Sequence, residues 1–384
     1  MNRRLLSMLW VACTACLEAF AADAPALGPV PVPFPTLNPP AKLTPAQTRS
    51  PHGRSAKQVP PAVRTPEEQA AYEKRVEWFH NARYGLAFHF LAGIAGRTAP
   101  AWTSESWNAV VNAVDVEKAA DQIQETGAGY AILAIGQNSQ YYCAPNPLIE
   151  KYWHLQPGQY GSTRDLPMDF YTALKKRGIP LMLYMATDNQ YKLPVPDDMT
   201  GNDRYEHWLE VMQWYADHYG TRCAGWWIDG LSGKIGPKDY TERVHLALRH
   251  GNPDALLASG TYGLSDFTHG HANMANWKDQ QIHMLPYYGR WDPDYHIQWH
   301  AFQYLGPTWA AAGIGKPTPQ LVAYASKVIR GGGVITFDIG TFSRDKNDPV
   351  PHLSIQPDQM ALLHTLRDAL KAIPVSDGSG PPSP

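Results

Sequence analysis

CAGWWIDGLSG (Cys223–Gly233) is the stretch whose reading decides the fold. An apolar run with two tryptophans climbs to a single carboxylate, Asp229, and a glycine follows at once. A run this short and this apolar reads as a buried strand. It is preceded by an amphipathic stretch, Arg204–Tyr219, that stops at Gly220, and followed by another, Tyr240–His250, that stops at Gly251. Helix, strand, helix is the unit of a parallel sheet. The strand also raises a question. A core strand that ends on a charge either caps the next element or delivers that charge to a site.

Working outward, the alternation repeats. The spacing predicts strands at 84–90, 129–136, 179–187, 224–230, 255–260, 282–289, 300–306 and 333–340. Between them lie helical stretches at Asp115–Thr126, Asp165–Arg177 and Pro319–Arg330, with a last one at Asp358–Ala372. Gly127, Gly178, Gly220, Gly251 and Gly331 each sit where a left-handed residue ends a helix. A first helix opens at Thr65, with Pro66 behind it and Glu68 completing a capping box. Eight apolar runs alternating with helices predict an α/β protein, a single-domain (β/α)8 TIM-like barrel. A doubly wound sheet would want a glycine-rich phosphate loop after its first strand. YGLAFHFLAGIAG (84–96) has none, and the triple glycine at 331–333 precedes a strand instead of opening a helix.

The barrel is expected over 64–374. Residues 1–22 read as a signal peptide: Arg3 and Arg4, the apolar Leu5–Cys16, then small residues at Ala19–Ala22. Residues 23–63 are dense in proline and keep no period, an extended tether. A Pro/Gly/Ser tail follows at 375–384. No other stretch is long and apolar enough to span a bilayer, so an exported protein is expected. Cys143 and Cys223 fall at opposite ends of a parallel sheet, which argues against a disulfide. The net charge of −2 offers no basic field for nucleic acid.

In such barrels chemistry gathers where the strands end. The first strand delivers His89. The second delivers Gln137 and Asn138, then Tyr141 and Tyr142. The third delivers Asp188, the fourth Asp229 and the eighth Asp338. Several polar strand ends that converge favour a functional acid at Asp229 over a turn cap. Paired carboxylates across a sugar-sized cleft are what glycoside hydrolysis requires: one attacks the anomeric carbon or activates water, the other protonates the leaving oxygen.

Several segments together resemble the α-L-fucosidases of glycoside hydrolase family 29. WFHNARYGLAFHF (78–90) looks like that family's opening helix and first strand, with its histidine at His89. VDVEKAADQIQETGAGYAILAIG (114–136) and TRDLPMDFYTALKKRGIPLMLYM (163–185) look like the units that follow. GWWIDG (225–230) looks like the W-x-D-G strand, and VIRGGGVITFDIG (328–340) resembles the eighth. The resemblance covers about 65–372 and implies Asp229 as the nucleophile of a retaining mechanism.

The departures shape the expectations. The paired histidines that grip fucose after the second strand are replaced by GQNSQYYCAPN (136–146), so Asn138, Tyr141 and Tyr142 are expected to face the sugar, with His89, Asp188 and Trp227. No glutamate follows Glu242, so the acid is sought in Asp338, Asp266, His269 or His271. Asp338→Asn is expected to cut activity with little loss of folding. The C-terminal β-sandwich of many relatives is not expected here. No cofactor and no metal are expected; the H-x-H of His269 and His271 keeps a metal-dependent hydrolase as a minor alternative. A carbohydrate-binding barrel that has lost its acid is the main one. The expected partner is an oligosaccharide or glycoconjugate.

Overall fold

The computed structural model describes residues 63–94, 101–187, 189–231, 236–237, 239–270, 289–345, 347–348 and 350–374. Its elements run α1 (Pro66–Ala82), β1 (Tyr84–Phe88), α2 (Ser104–Asn112), α3 (Val116–Thr126), β2 (Ala131–Ala134), α4 (Pro147–Tyr152), α5 (Leu166–Lys175) and β3 (Leu181–Ala186). Then come α6 (Gly201–Tyr219), β4 (Gly225–Asp229), α7 (Tyr240–Arg249), β5 (Leu256–Ala258), β6 (His300–Tyr304), α8 (Thr318–Arg330), β7 (Val334–Ile339) and α9 (Pro357–Lys371). Among these residues no helix is long and apolar enough to cross a membrane.

The seven strands form one parallel sheet in the order β5-β4-β3-β2-β1-β7-β6. Each strand except those at the gap lies beside its neighbour in sequence, and β1 pairs with β7. That order is cyclic. A doubly wound sheet reverses direction at a switch point, and this one does not. The edges are β5 and β6, and residues 266–270 run between them. Asp266 N–H donates to Leu257 O (2.7 Å) on one side, and Thr268 N–H donates to Gln298 O (3.0 Å) and Phe302 N–H to Gly270 O (3.2 Å) on the other. The sequence placed a strand at 282–289; apart from Gly289 that stretch lies outside the described residues.

Local chemistry explains the helix ends. Thr65 and Glu68 close the capping box on α1, and the Asp115 and Asp165 side chains accept from the amides that open α3 and α5. Gly127 takes the left-handed position after α3, with φ 76°. Gly331 differs from expectation: it stays right-handed at φ −76° and Gly332 makes the turn at φ 84°. Gly251 is glycine because of contact, since a Cβ there would lie 2.0 Å from Ala216 O. The spacing of apolar residues does not predict α2 and α4, short helices in the loops after β1 and β2.

Strand side chains alternate between two faces, and the core divides accordingly. Leu86, Phe88, Leu133, Leu183, Trp226, Ile228, Ile335 and Phe337 point outward to a cluster shared with the helices. Ala87, Ile132, Tyr184, Trp227, Leu256 and Phe302 belong to a second, inner cluster. Tyr72, Val76 and Phe79 of α1 pack against that inner cluster. Tyr72 Oη donates to Asp266 O (2.7 Å) and His80 Nδ1 lies 3.0 Å from Gly332 O, so α1 lies where the strands begin.

Candidate active site

The period of two decides which polar residues meet. Trp227 points to the inner face, so Asp229, two residues on, does too. The same count carries β1 from Ala87 to His89, and β7 from Val334 through Thr336 to Asp338. Register fixes their levels: Asp229 lies beside Ala186, and Asp338 beside Ala87 and Tyr304. All three sit at the ends of their strands.

Asp229 is held by three donors. Gln137 Nε2 and Tyr184 Oη each donate to Oδ2 at 2.7 Å, and Gly230 N–H donates to Oδ1 at 2.8 Å. The last is a one-residue turn contact. The next helix, α7, takes no cap from Asp229; its N-cap position is Asp239. The carboxylate stays partly exposed and lines a pocket of about 140 Å³ with His89, Ile94, Gln137, Asn138, Tyr184, Thr308 and Trp309. Ligand pockets for drug-sized molecules run to roughly 300–1,000 Å³, so this one suits a single ring better than a chain. Asn138 reaches its place through a left-handed backbone, φ 62°, which asparagine tolerates better than most residues.

His89 and Asp338 form a dyad. Nδ1 of the imidazole lies 2.5 Å from Asp338 Oδ1. Asp338 Oδ2 accepts from Ala310 N–H at 2.6 Å. Burial alone would push the imidazole down; the Asp338 carboxylate outweighs it, with a further contribution from Asp229, and His89 is held above its ordinary value. Tyr184, Phe302 and Trp309 pack around the ring.

The structure separates the remaining expected residues. Asp266 is not at this mouth. It is buried between Arg75 (2.8 Å) and Arg249 (2.5 Å) and also accepts from Leu257 N–H (2.8 Å). Leu257 pairs with Trp226, near the start of β4, so Asp266 lies toward the opposite end of the sheet from Asp229. Tyr141 and Tyr142 are core residues. The Tyr141 hydroxyl donates to Trp102 O (2.6 Å), and Tyr142 Oη accepts from Asn189 Nδ2 (2.7 Å). Neither offers a ring face to the pocket. Trp227 is fully buried, stacked between Tyr184 (4.9 Å) and His269 (3.7 Å). It supports the pocket from below. Asp188 and His271 lie outside the described residues.

Tyr184, Thr308 and Trp309 line the pocket without having stood out in the sequence. Tyr184 had a usable signal, since it alternates inward on β3 and pairs in register with Trp227. Thr308 and Trp309 follow β6 in a loop, where no period speaks. Cys143 and Cys223 are free and buried; burial pushes the Cys223 thiol up to about 12.

No family profile matches this chain, and no curated protein matches it. Solved structures do match. The fold is one that fucose-releasing enzymes use. The α-L-fucosidase isoenzyme 1 from Paenibacillus thiaminolyticus superposes with a TM-score of 0.56 at 17% identity, over 79% of this chain and 76% of that one. The α-L-fucosidase AlfC from Lactobacillus casei, solved with α-L-fucose product, gives 0.56 at 14% identity, over 78% and 98%. The endo-fucoidan hydrolase MfFcnA4 of glycoside hydrolase family 107 gives 0.55 at 16% identity, over 78% of this chain. This chain spans 54% of that hydrolase. All three neighbours are glycoside hydrolases, and at these identities the likeness is one of fold.

Proposed function

We propose that this protein is an exported glycoside hydrolase of the α-L-fucosidase kind, a (β/α)8 barrel that removes a terminal sugar from an oligosaccharide or glycoconjugate with retention. The observation that carries the reading is Asp229: an inward carboxylate at a strand end, held by Gln137 and Tyr184, on the wall of a one-ring pocket. Its oxygen would attack the anomeric carbon, and the departing oxygen would take a proton from a second group. Asp266 is spent on two arginines and Asp338 has both oxygens occupied beneath His89. His269 is stacked on buried Trp227 and is not on the pocket lining, so the proton donor in this reading is His89 on the pocket wall or His271 beyond the described residues. The signal-like residues 1–22 support export, and fractionation of expressing cells tests it.

The test of catalysis is 4-nitrophenol release from a panel of aryl glycosides, α-L-fucoside first, with wild type and Asp229→Asn side by side. Turnover by the wild type and loss of it in the variant is the expected result. Equal turnover by both removes Asp229 from the chemistry.

A second reading has one observation in its favour. Among the described residues Asp229 is the one carboxylate on the pocket lining. A barrel that binds sugar without cleaving it would keep such a pocket. Binding on a sugar array without turnover of any glycoside would favour it.

A further inference from the structure

Asp338 has been placed beneath the pocket, and its two oxygens do different things. Oδ1 takes the Nδ1 edge of His89 at 2.5 Å. Oδ2 takes the amide of Ala310 at 2.6 Å. Ala310 holds φ 54°, a left-handed conformation that costs an alanine roughly 1–2 kcal/mol. Such strain persists where surrounding contacts over-determine it. Here they do: Thr341 N–H donates to Ala310 O (3.1 Å), and Leu305 N–H donates to Asp338 O (3.1 Å). The residue before Ala310 is Trp309, whose ring lines the pocket and meets His89 edge-on at 5.7 Å. The Asp338 side chain is 0% exposed and that of His89 9%. With Nδ1 on the carboxylate, Nε2 is the free edge of the ring, and among the described residues it has no hydrogen bond.

We propose that Asp338 is a positioning residue: it touches no substrate, but it locks the His89 imidazole and the Trp309–Ala310 turn into one wall, with Nε2–H of His89 presented to the pocket that Asp229 also lines. The proposal deepens the glycosidase reading and rests on it for the identity of the substrate as a sugar. The sequence offers Asp338 as one candidate for the acid, beside Asp266, His269 and His271; this proposal gives the acidic proton to the histidine above it. Among the described residues, the titratable groups around His89 are Asp338 on β7, Asp229 on β4 and Tyr184 on β3. β6 and the loop after it bring Phe302 and Trp309, which carry no charge; β2 leads to neutral Gln137 and Asn138. Lys316 sits one layer away, against the Tyr304 ring.

The experiment follows His89 by NMR in protein carrying 13C-labelled histidine, assigned with His89→Gln. It follows Trp309 by 19F NMR with 5-fluorotryptophan, assigned with Trp309→Phe. Wild type, Asp338→Asn and Asp266→Asn are compared. In the wild type His89 titrates above the ordinary value of about 6.5. In Asp338→Asn the carboxylate that outweighs burial is gone, so the titration drops and the Trp309 signal moves. Asp266→Asn, which alters a buried carboxylate elsewhere, leaves both signals in place. An unchanged His89 titration or an unmoved Trp309 signal in Asp338→Asn overturns the proposal. If that variant does not fold, the wild type decides alone: titration at or below 6.5 overturns it. With 4-nitrophenyl α-L-fucoside, Asp338→Asn should lower kcat about tenfold or more, with little change in KM, and carry the basic limb of the pH profile down with the His89 titration. If no glycoside is cleaved by the wild type, the glycosidase reading fails while the two NMR measurements still decide the role of Asp338.

Discussion

The Tyr184 hydroxyl donates to Asp229 Oδ2 at 2.7 Å while its ring lies nearly parallel to Trp227, 4.9 Å between centroids and 13° between planes. One side chain thus joins the packed layer below the pocket to the carboxylate above it. Tyr184→Phe keeps the stack and removes one donor. A hydrogen bond to a charged group is worth about 1.5–3 kcal/mol. On a glycoside that the wild type cleaves, kcat/KM should fall roughly ten- to a hundredfold. Thermal unfolding should change little. An unchanged kcat/KM in Tyr184→Phe would separate this hydroxyl from the work of Asp229.

Asp266 makes the contrasting case. It neutralises Arg75 and Arg249 near the start of β5. Burial pushes its carboxyl up, but the two guanidiniums outweigh that and hold it below the usual range. A carboxyl depressed in the folded state stabilises the protein above its unfolded pKa of about 4 and loses that contribution as pH falls. Asp266→Asn leaves two cations facing each other and should cost on the order of 3–5 kcal/mol, read by urea denaturation at pH 7. Specific activity of the folded fraction should match the wild type.

His245 sets a second pH dependence of stability. It is buried, with Nδ1 2.8 Å from Thr241 O and Nε2 3.2 Å from Ser259 Oγ. Burial lowers it to about 4. The unfolded chain binds this proton near pH 6.5 and the folded one does not, so stability is lost as pH falls from about 6.5 towards 4. The full difference is on the order of 3 kcal/mol. Urea midpoints between pH 7 and 4 should show the slope, and His245→Gln should flatten it. His89, raised in the folded state, acts in the opposite sense: its contribution is present at low pH and fades as pH rises through its folded value.

Much of the fold was legible because it rests on short-range chemistry. Seven of the expected strands coincide with β1 to β7 within a few residues, since each is an apolar run bounded by a helix stop. Asp229, His89 and Asp338 were legible as strand ends. What the sequence hid was depth. Tyr141 and Tyr142 look like stacking surfaces in a string of letters, yet the loop after β2 folds them inward and spends their hydroxyls on Trp102 O and Asn189. Asp266 looks like an acid near a glycine-rich turn, and only the three-dimensional approach of Arg75, 191 residues earlier, reveals it as a structural charge. Trp309 arrives by a loop whose conformation depends on Asp338, a contact between distant positions that no local pattern encodes.

The pairing of β1 with β7, and of α1 with residues near 266, 298 and 332, has a consequence for how the chain reaches its native state. Among their partners, α1 and β1 each have some that come about 190–250 positions later in the chain. Until β7 emerges, one edge of β1 has nothing to bond. Loops of that length are slow to close relative to local helix formation. Refolding should therefore build the β2–β4 region, whose neighbours are consecutive, before β1 pairs with β7. A nascent chain arrested before Val334 would present an open sheet edge, the kind of surface that chaperones hold and that unattended chains use to aggregate.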